Sequence, residues 1–186
     1  AQPVISKVFA FSNRDYSRIV FAFLLAYALM QPLSGRLLDK LGTVRGFALA
    51  VIWWSAACAL TAVAGGAFSF AAYRFLLGAG EAALIPASIK TISEWLPVER
   101  RQYGIGIMNA GISIGGMIAT PLVGWLLLAY GWQPMFVITG ALGIVWLAVW
   151  LLFMRNRTPE IPTTASTSAA AAPRIAISDL IRQREI

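Results

Sequence analysis

The sequence of 186 residues predicts an all-α fold, an integral membrane helical bundle of five spans, and three observations lead there. The composition is 59% hydrophobic and 12% charged, whereas an ordinary soluble domain carries roughly 25% charged residues. The apolar residues gather into five runs close to the ~20 residues that a helix needs to cross a bilayer. The basic residues sort by side: Arg36, Lys40, Arg45, Arg100, Arg101, Arg155, Arg157, Arg174, Arg182 and Arg184 fall at one set of run ends. Only Lys7, Arg14 and Arg18 fall at the other, with Arg74 and Lys90 inside a run. By the positive-inside rule the first set is cytoplasmic.

Residues 1–16 read as an external loop, in which the segment Ser12 to Asp15 offers N-cap candidates for the first span, 17–37. A charged turn, Gly35 to Gly46, leads to a second span over 47–64. The turn Gly65-Gly66-Ala67 carries no charge and precedes the third span, 69–92. A charged segment, Ser93 to Gln102, then separates this from a glycine-rich span over 104–129. There Gly111 and Gly115 form a GxxxG pair suited to close backbone contact. A second uncharged turn, Tyr130-Gly131-Trp132, opens the last span, 133–154. The Pro/Ser/Thr/Ala-rich stretch 155–174 reads as a cytoplasmic linker. Residues 175–186, with Ile177, Leu180 and Ile181 at helical spacing, read as an amphipathic helix at the inner membrane surface or as a plain disordered tail. Five crossings put Ala1 outside with no export signal before it, so a further helix upstream is expected and the chain reads as a fragment.

Composition narrows the chemistry. There is no histidine and one cysteine, Cys58, which removes disulfide frameworks and the usual zinc or thiol-nucleophile sites, and no metal or cofactor is expected. The net charge of +7 is dispersed among apolar spans and forms no basic patch with interleaved aromatics, so nucleic acid is not an expected partner.

The third span holds Arg74, Glu81 and Lys90. A charge at bilayer depth costs at least ~2.5–3.5 kcal/mol on insertion scales and calls for a partner or a substrate. Arg74 and Glu81 are seven residues apart, so they project from one face at different depths, and Gly78 and Gly80 between them permit a close neighbour. Pro86 interrupts the hydrogen-bond ladder below Glu81, and such interruptions are found where backbone lines a cavity. Two readings stand: a polar cavity that binds an anion, or a structural ion pair that locks two helices. Desolvation favours a neutral carboxyl group, a nearby guanidinium favours the charged one, and an arriving carboxylate competes for that guanidinium, so anion and proton binding would be linked. Lys90, nine residues beyond Glu81, reaches the same side only if Pro86 distorts the helix; otherwise it snorkels to the interface. Tyr27 and Gln31 share a face of the first span, as interhelical hydrogen-bonding groups or as substrate contacts. Asn109 lies on a stripe of the fourth span with Ser113, Gly116 and Thr120.

Gly35-x-Leu37-x-Asp39-Lys40-x-Gly42 between two spans resembles the loop signature of the major facilitator superfamily. Arg74-x-x-x-Gly78-x-Gly80-Glu81 is similar to the fourth-helix motif of its anion:cation symporter branch. The segments IPASIKTISEWLPVERR, GIGIMNAGISIGG and YGWQPMFVITGALG are similar to bacterial hexuronate and other sugar-acid carriers. The resemblance covers Ile5 to Met154 and implies helices two to six of a twelve-helix carrier, with the first helix and the second half lying elsewhere. It implies a proton-coupled symporter of organic anions in the bacterial inner membrane, with Arg74 and Glu81 as the proton-coupling and anion-binding pair. Tyr27, Gln31, Lys90 and Asn109 become candidate cavity residues, and Gly35, Asp39, Lys40, Gly42 and Arg45 the gating loop. One departure is plain: the family has basic residues directly after the second glycine, and this chain has Thr43 and Val44, with Arg45 next. The competing class is a membrane enzyme or a structural assembly. An intramembrane enzyme needs a nucleophile with a base or paired carboxylates, and Glu81 has no acidic, histidine or cysteine companion at helical spacing.

Overall fold

The computed structural model describes residues 9–155, and among them the chain is helical without strands. Residues 156–174 of the expected linker, the amphipathic segment 175–186, and Lys7, Arg157, Arg174, Arg182 and Arg184 lie outside the described residues. Helix α1 runs Asn13–Leu41, α2 Thr43–Leu60 with a 3-10 turn at Thr61–Val63, α3 Ala67–Glu81, α4 Leu84–Trp95, α5 Val98–Tyr130 and α6 Trp132–Met154. Because α3 and α4 follow one another within Ala67–Trp95, five helical segments among the described residues are long and apolar enough to cross a membrane.

Helices start where side chains satisfy the free N–H groups of the first turn. The Ser12 hydroxyl accepts from the Asp15 N–H at 3.2 Å while the Asp15 carboxylate accepts from the Ser12 N–H at 3.2 Å, a reciprocal cap that begins α1 at Asn13. The Ser69 hydroxyl accepts from the Gly65 and Gly66 N–H groups at 3.0 and 3.1 Å ahead of α3. The external loop expected over 1–16 therefore ends at Ser12.

The charged turn expected over Gly35–Gly46 is a larger correction. Helix α1 continues through Leu41 and α2 resumes at Thr43, so Gly42 alone joins them, at φ 79°. That left-handed backbone favours glycine, and Gly131 makes the same one-residue link between α5 and α6 at φ 85°. Apolar run length had placed the ends of α1 inside the chain's charged residues. At ~1.5 Å per residue its 29 residues extend about 43 Å, which matches a bilayer with its headgroup regions and not its hydrocarbon core alone. Polar residues in the headgroup zone can stay helical.

The third span divides as Pro86 suggested. The Ala82 N–H still reaches the Gly78 carbonyl at 3.1 Å, but the Ala83 N–H turns to Gly80 at 3.3 Å, and α4 begins at Leu84. Pro86 has no N–H for the Ala82 carbonyl. The single O–H of Ser34 on α1, 5% exposed, is shared between that carbonyl at 3.2 Å and the Gln31 carbonyl one turn back on α1 at 2.8 Å.

Helix α1 packs most extensively on α3, and α2 on α6, with α2 also against α3. Lipid tails are as apolar as leucine, so the helices are held by close fit more than by exclusion from water. A Cβ on Gly78 would collide with the backbone carbonyl oxygen of Phe23, one on Gly80 would come within 2.5 Å of Trp53, and one on Gly140 within 2.6 Å of the Ser55 carbonyl. Two apolar clusters fill the bundle ends. Ile19, Phe70, Leu126, Met135 and Phe136 pack near the uncharged turns. Leu38, Phe47, Val51, Ala87 and Leu147 pack near the charged ones.

Candidate functional site

Arg74 and Glu81 both sit on α3, half-buried and two turns apart. They are not in contact. Among the described residues the ion pairs within 4 Å are Asp15–Arg18, Asp39–Lys90 and Lys90–Glu94, and the side chain of neither Arg74 nor Glu81 takes part in a hydrogen bond. The Arg74 guanidinium instead lies over the ring of Phe136 on α6, 5.4 Å from its centroid. The site therefore joins α3 to α6 through Arg74 and Phe136, with neither the guanidinium nor the Glu81 carboxyl group held in an ion pair among the described residues.

Tyr27 is half-buried and stacks on Phe23 at 6.0 Å; Gln31 follows one turn later, also half-buried, and its side chain makes no hydrogen bond among the described residues. Asn109 lies on an exposed stretch of α5. Nothing lies within 4 Å of a Cβ built on Gly111, Gly115 or Gly116, so the close contact expected at the GxxxG pair is not made among the described residues.

Lys90 is placed away from this cluster. Its Nζ sits 2.5 Å from Asp39 Oδ1 and 3.9 Å from Glu94 Oε1. The Thr43 hydroxyl donates to the other oxygen of Glu94 at 2.7 Å. The ends of α1, α2 and α4 are thus clasped by Asp39, Lys90, Glu94 and Thr43. Position 43 contributes a hydroxyl to this clasp, whose cation comes from α4. Arg101 braces the same end, donating from Nε to the Leu96 carbonyl at 3.2 Å and from Nη2 to the Ser93 carbonyl at 2.9 Å, which satisfies free carbonyls at the end of α4. Gly35 is inside α1, where a Cβ would meet none of the described residues within 4 Å, and Lys40 and Arg45 are exposed.

Phe136, Ser34 and Glu94 were not singled out by sequence reasoning, and Thr43 was noted only as a departure from the loop pattern. The i, i+4 spacing of Lys90 and Glu94 was a readable signal. For Phe136 there was none, because a phenylalanine in an apolar span gives no sign of which cation it meets. The cleft lined by Met30, Leu33, Ser34, Leu49, Trp53 and Gly80 is apolar and contains none of the expected site residues.

The sequence profile of the Major Facilitator Superfamily matches residues 1–186. The chain is 36% identical, over its whole length, to the hexuronate transporter of Escherichia coli K12, covering 46% of that protein. It is 44% identical over 84% of its length to the galacturonate transporter of Dickeya chrysanthemi, covering 45% of it, and 28% identical over its whole length to the hexuronate transporter of Bacillus subtilis, again covering 45%. The chain thus spans about half the length of these curated relatives. Multi-pass architecture, sequence profile and relatives agree: the chain belongs to the Major Facilitator Superfamily of membrane transporters.

Proposed function

We propose that the chain forms helices two to six of a twelve-helix secondary carrier that moves hexuronates or related sugar-acid anions inward with protons, by alternating access, across a bacterial inner membrane. In this reading Arg74 binds the substrate carboxylate and Glu81 carries the proton, with Tyr27 and Gln31 as further wall residues and Asn109 on the adjoining helix. Gly35, Asp39, Lys40, Gly42 and Arg45 belong to the cytoplasmic gating loop, and the contacts of Lys90 with Asp39 and Glu94 support its placement at that end rather than in the cavity. The turns at Gly65 and Tyr130 are external. The carrying observation is that Arg74 and Glu81 lie half-buried two turns apart on one helix and, among the described residues, form no ion pair within 4 Å with each other or with any other residue. A structural bridge would have them locked together; a coupling site needs each free to exchange its partner. The relatives' names support sugar acids as the anion class.

The test pairs gradient-driven uptake with counterflow in vesicles containing the complete carrier. Glu81→Gln removes the negative charge while keeping shape and a hydrogen-bonding group. It is expected to abolish uptake driven by a pH gradient while exchange of internal for external substrate persists. Arg74→Ala is expected to lose both. Undiminished pH-driven uptake by Glu81→Gln would refute the coupling role. Residues 1–186 alone are expected to give no substrate-dependent uptake in liposomes, because both halves line the site in such carriers.

A further inference from the structure

Arg74 is oriented by an aromatic ring and not by an acid. Its guanidinium lies 5.4 Å from the centre of the Phe136 ring, while among the described residues it makes no ion pair within 4 Å and no hydrogen bond. A ring face attracts a cation through its quadrupole, yet occupies none of the five N–H donors that a carboxylate partner would take. Phe136 is itself fixed. It is 5% exposed, its ring meets those of Phe70 and Trp132 at 6.5 Å each, and its carbonyl accepts from the Cys58 thiol at 3.7 Å.

We propose that Phe136 is a positioning residue of the anion site: its ring holds the Arg74 guanidinium in place and leaves the N–H fork free to pair with a substrate carboxylate. This rests on the reading of Arg74 as the carboxylate ligand and adds the element that orients it. Two demands conflict in such a site. A cation at bilayer depth needs a partner, and a binding cation needs open donors. A ring meets both, where an acidic partner would have to be displaced at each cycle.

The experiment measures D-galacturonate counterflow by the complete carrier carrying Phe136→Leu, Phe136→Met, Phe136→Tyr or Arg74→Gln. It also uses phenylalanine analogues with one, two or three ring fluorines at position 136, which weaken the ring quadrupole with little change of shape. Loss of the ring is expected to raise KM about tenfold in the Leu and Met variants, with Tyr close to the parent and the maximal exchange rate nearly unchanged. KM is expected to climb stepwise with fluorine number. A packing role alone gives the opposite order, since apolar swaps of similar volume are tolerated best and fluorination is nearly silent. If KM ignores fluorination while Arg74→Gln raises it sharply, the positioning role falls and the anion site stands. If Arg74→Gln leaves KM unchanged, the anion-site reading falls, and the role of Phe136 with it. The fluorinated series retains the native shape, so it decides the matter even if the Leu and Met variants fail to fold.

Discussion

The contact of α1 with α3 and the middle of α5 are both rich in small residues, and they behave in opposite ways. At Gly78 the backbone of α1 is so near that a Cβ would strike the Phe23 carbonyl oxygen. Around Gly111 and Gly115 nothing lies within 4 Å, and residues 109–122 are all exposed. A glycine pair thus permits close approach but does not cause it. What draws α1 onto α3 is a set of specific contacts: the Ser34 hydroxyl on the carbonyl that Pro86 leaves free, and the fit of Gly78 against Phe23. Helix α5 offers the same permissive surface, with no described residue brought against it.

The comparison is broken most severely at Gly78. Gly78→Ala is expected to cost about 3 kcal/mol, at the upper end of overpacking penalties, because the obstacle is backbone and cannot rotate away. Gly115→Ala in this same chain is expected to be neutral or to stabilise by a few tenths of a kcal/mol, since alanine is the better helix former and meets open space. Thermal unfolding of residues 1–186 in detergent separates the two, and equal losses would mean that the α1–α3 contact is not tighter than the face of α5.

Ser34→Ala probes the second ingredient. Stripping a buried carbonyl of its donor is expected to cost about 1–2 kcal/mol. Pro86→Ala returns an N–H to the Ala82 carbonyl, so the double variant Ser34→Ala/Pro86→Ala is expected to recover most of the loss. Simple additivity of the two changes in a melting cycle would show that the hydroxyl and the proline do not share that carbonyl.

The smallest effect is expected at the charged end. The Asp39 side chain is 73% exposed, so Asp39→Asn is expected to cost no more than about 0.5 kcal/mol, and that difference is expected to vanish in high salt. Lys90→Gln in the complete carrier is expected to leave the KM for D-galacturonate unchanged, because the lysine is engaged by Asp39 and Glu94. A KM raised tenfold would return Lys90 to the substrate cavity.

Run lengths, loop charges and the placement of Arg74 and Glu81 within one span were legible in the sequence because each depends on local composition measured against the bilayer. So was the break at Pro86, since a missing N–H acts on its own helix. The helix ends were misjudged around Gly42 because an apolar count stops at the hydrocarbon edge, whereas backbone hydrogen bonding continues through the headgroup zone. Apart from the i, i+4 pair Lys90–Glu94, partners were not legible. Which residue faces Arg74, which hydroxyl meets the Ala82 carbonyl, and whether Lys90 turns to the cavity or to Asp39 depend on how each helix is rotated about its axis and how deep it sits. Packing against neighbouring helices sets both, and in a bilayer, where hydrophobicity drives insertion but not pairing, only the assembled bundle fixes them.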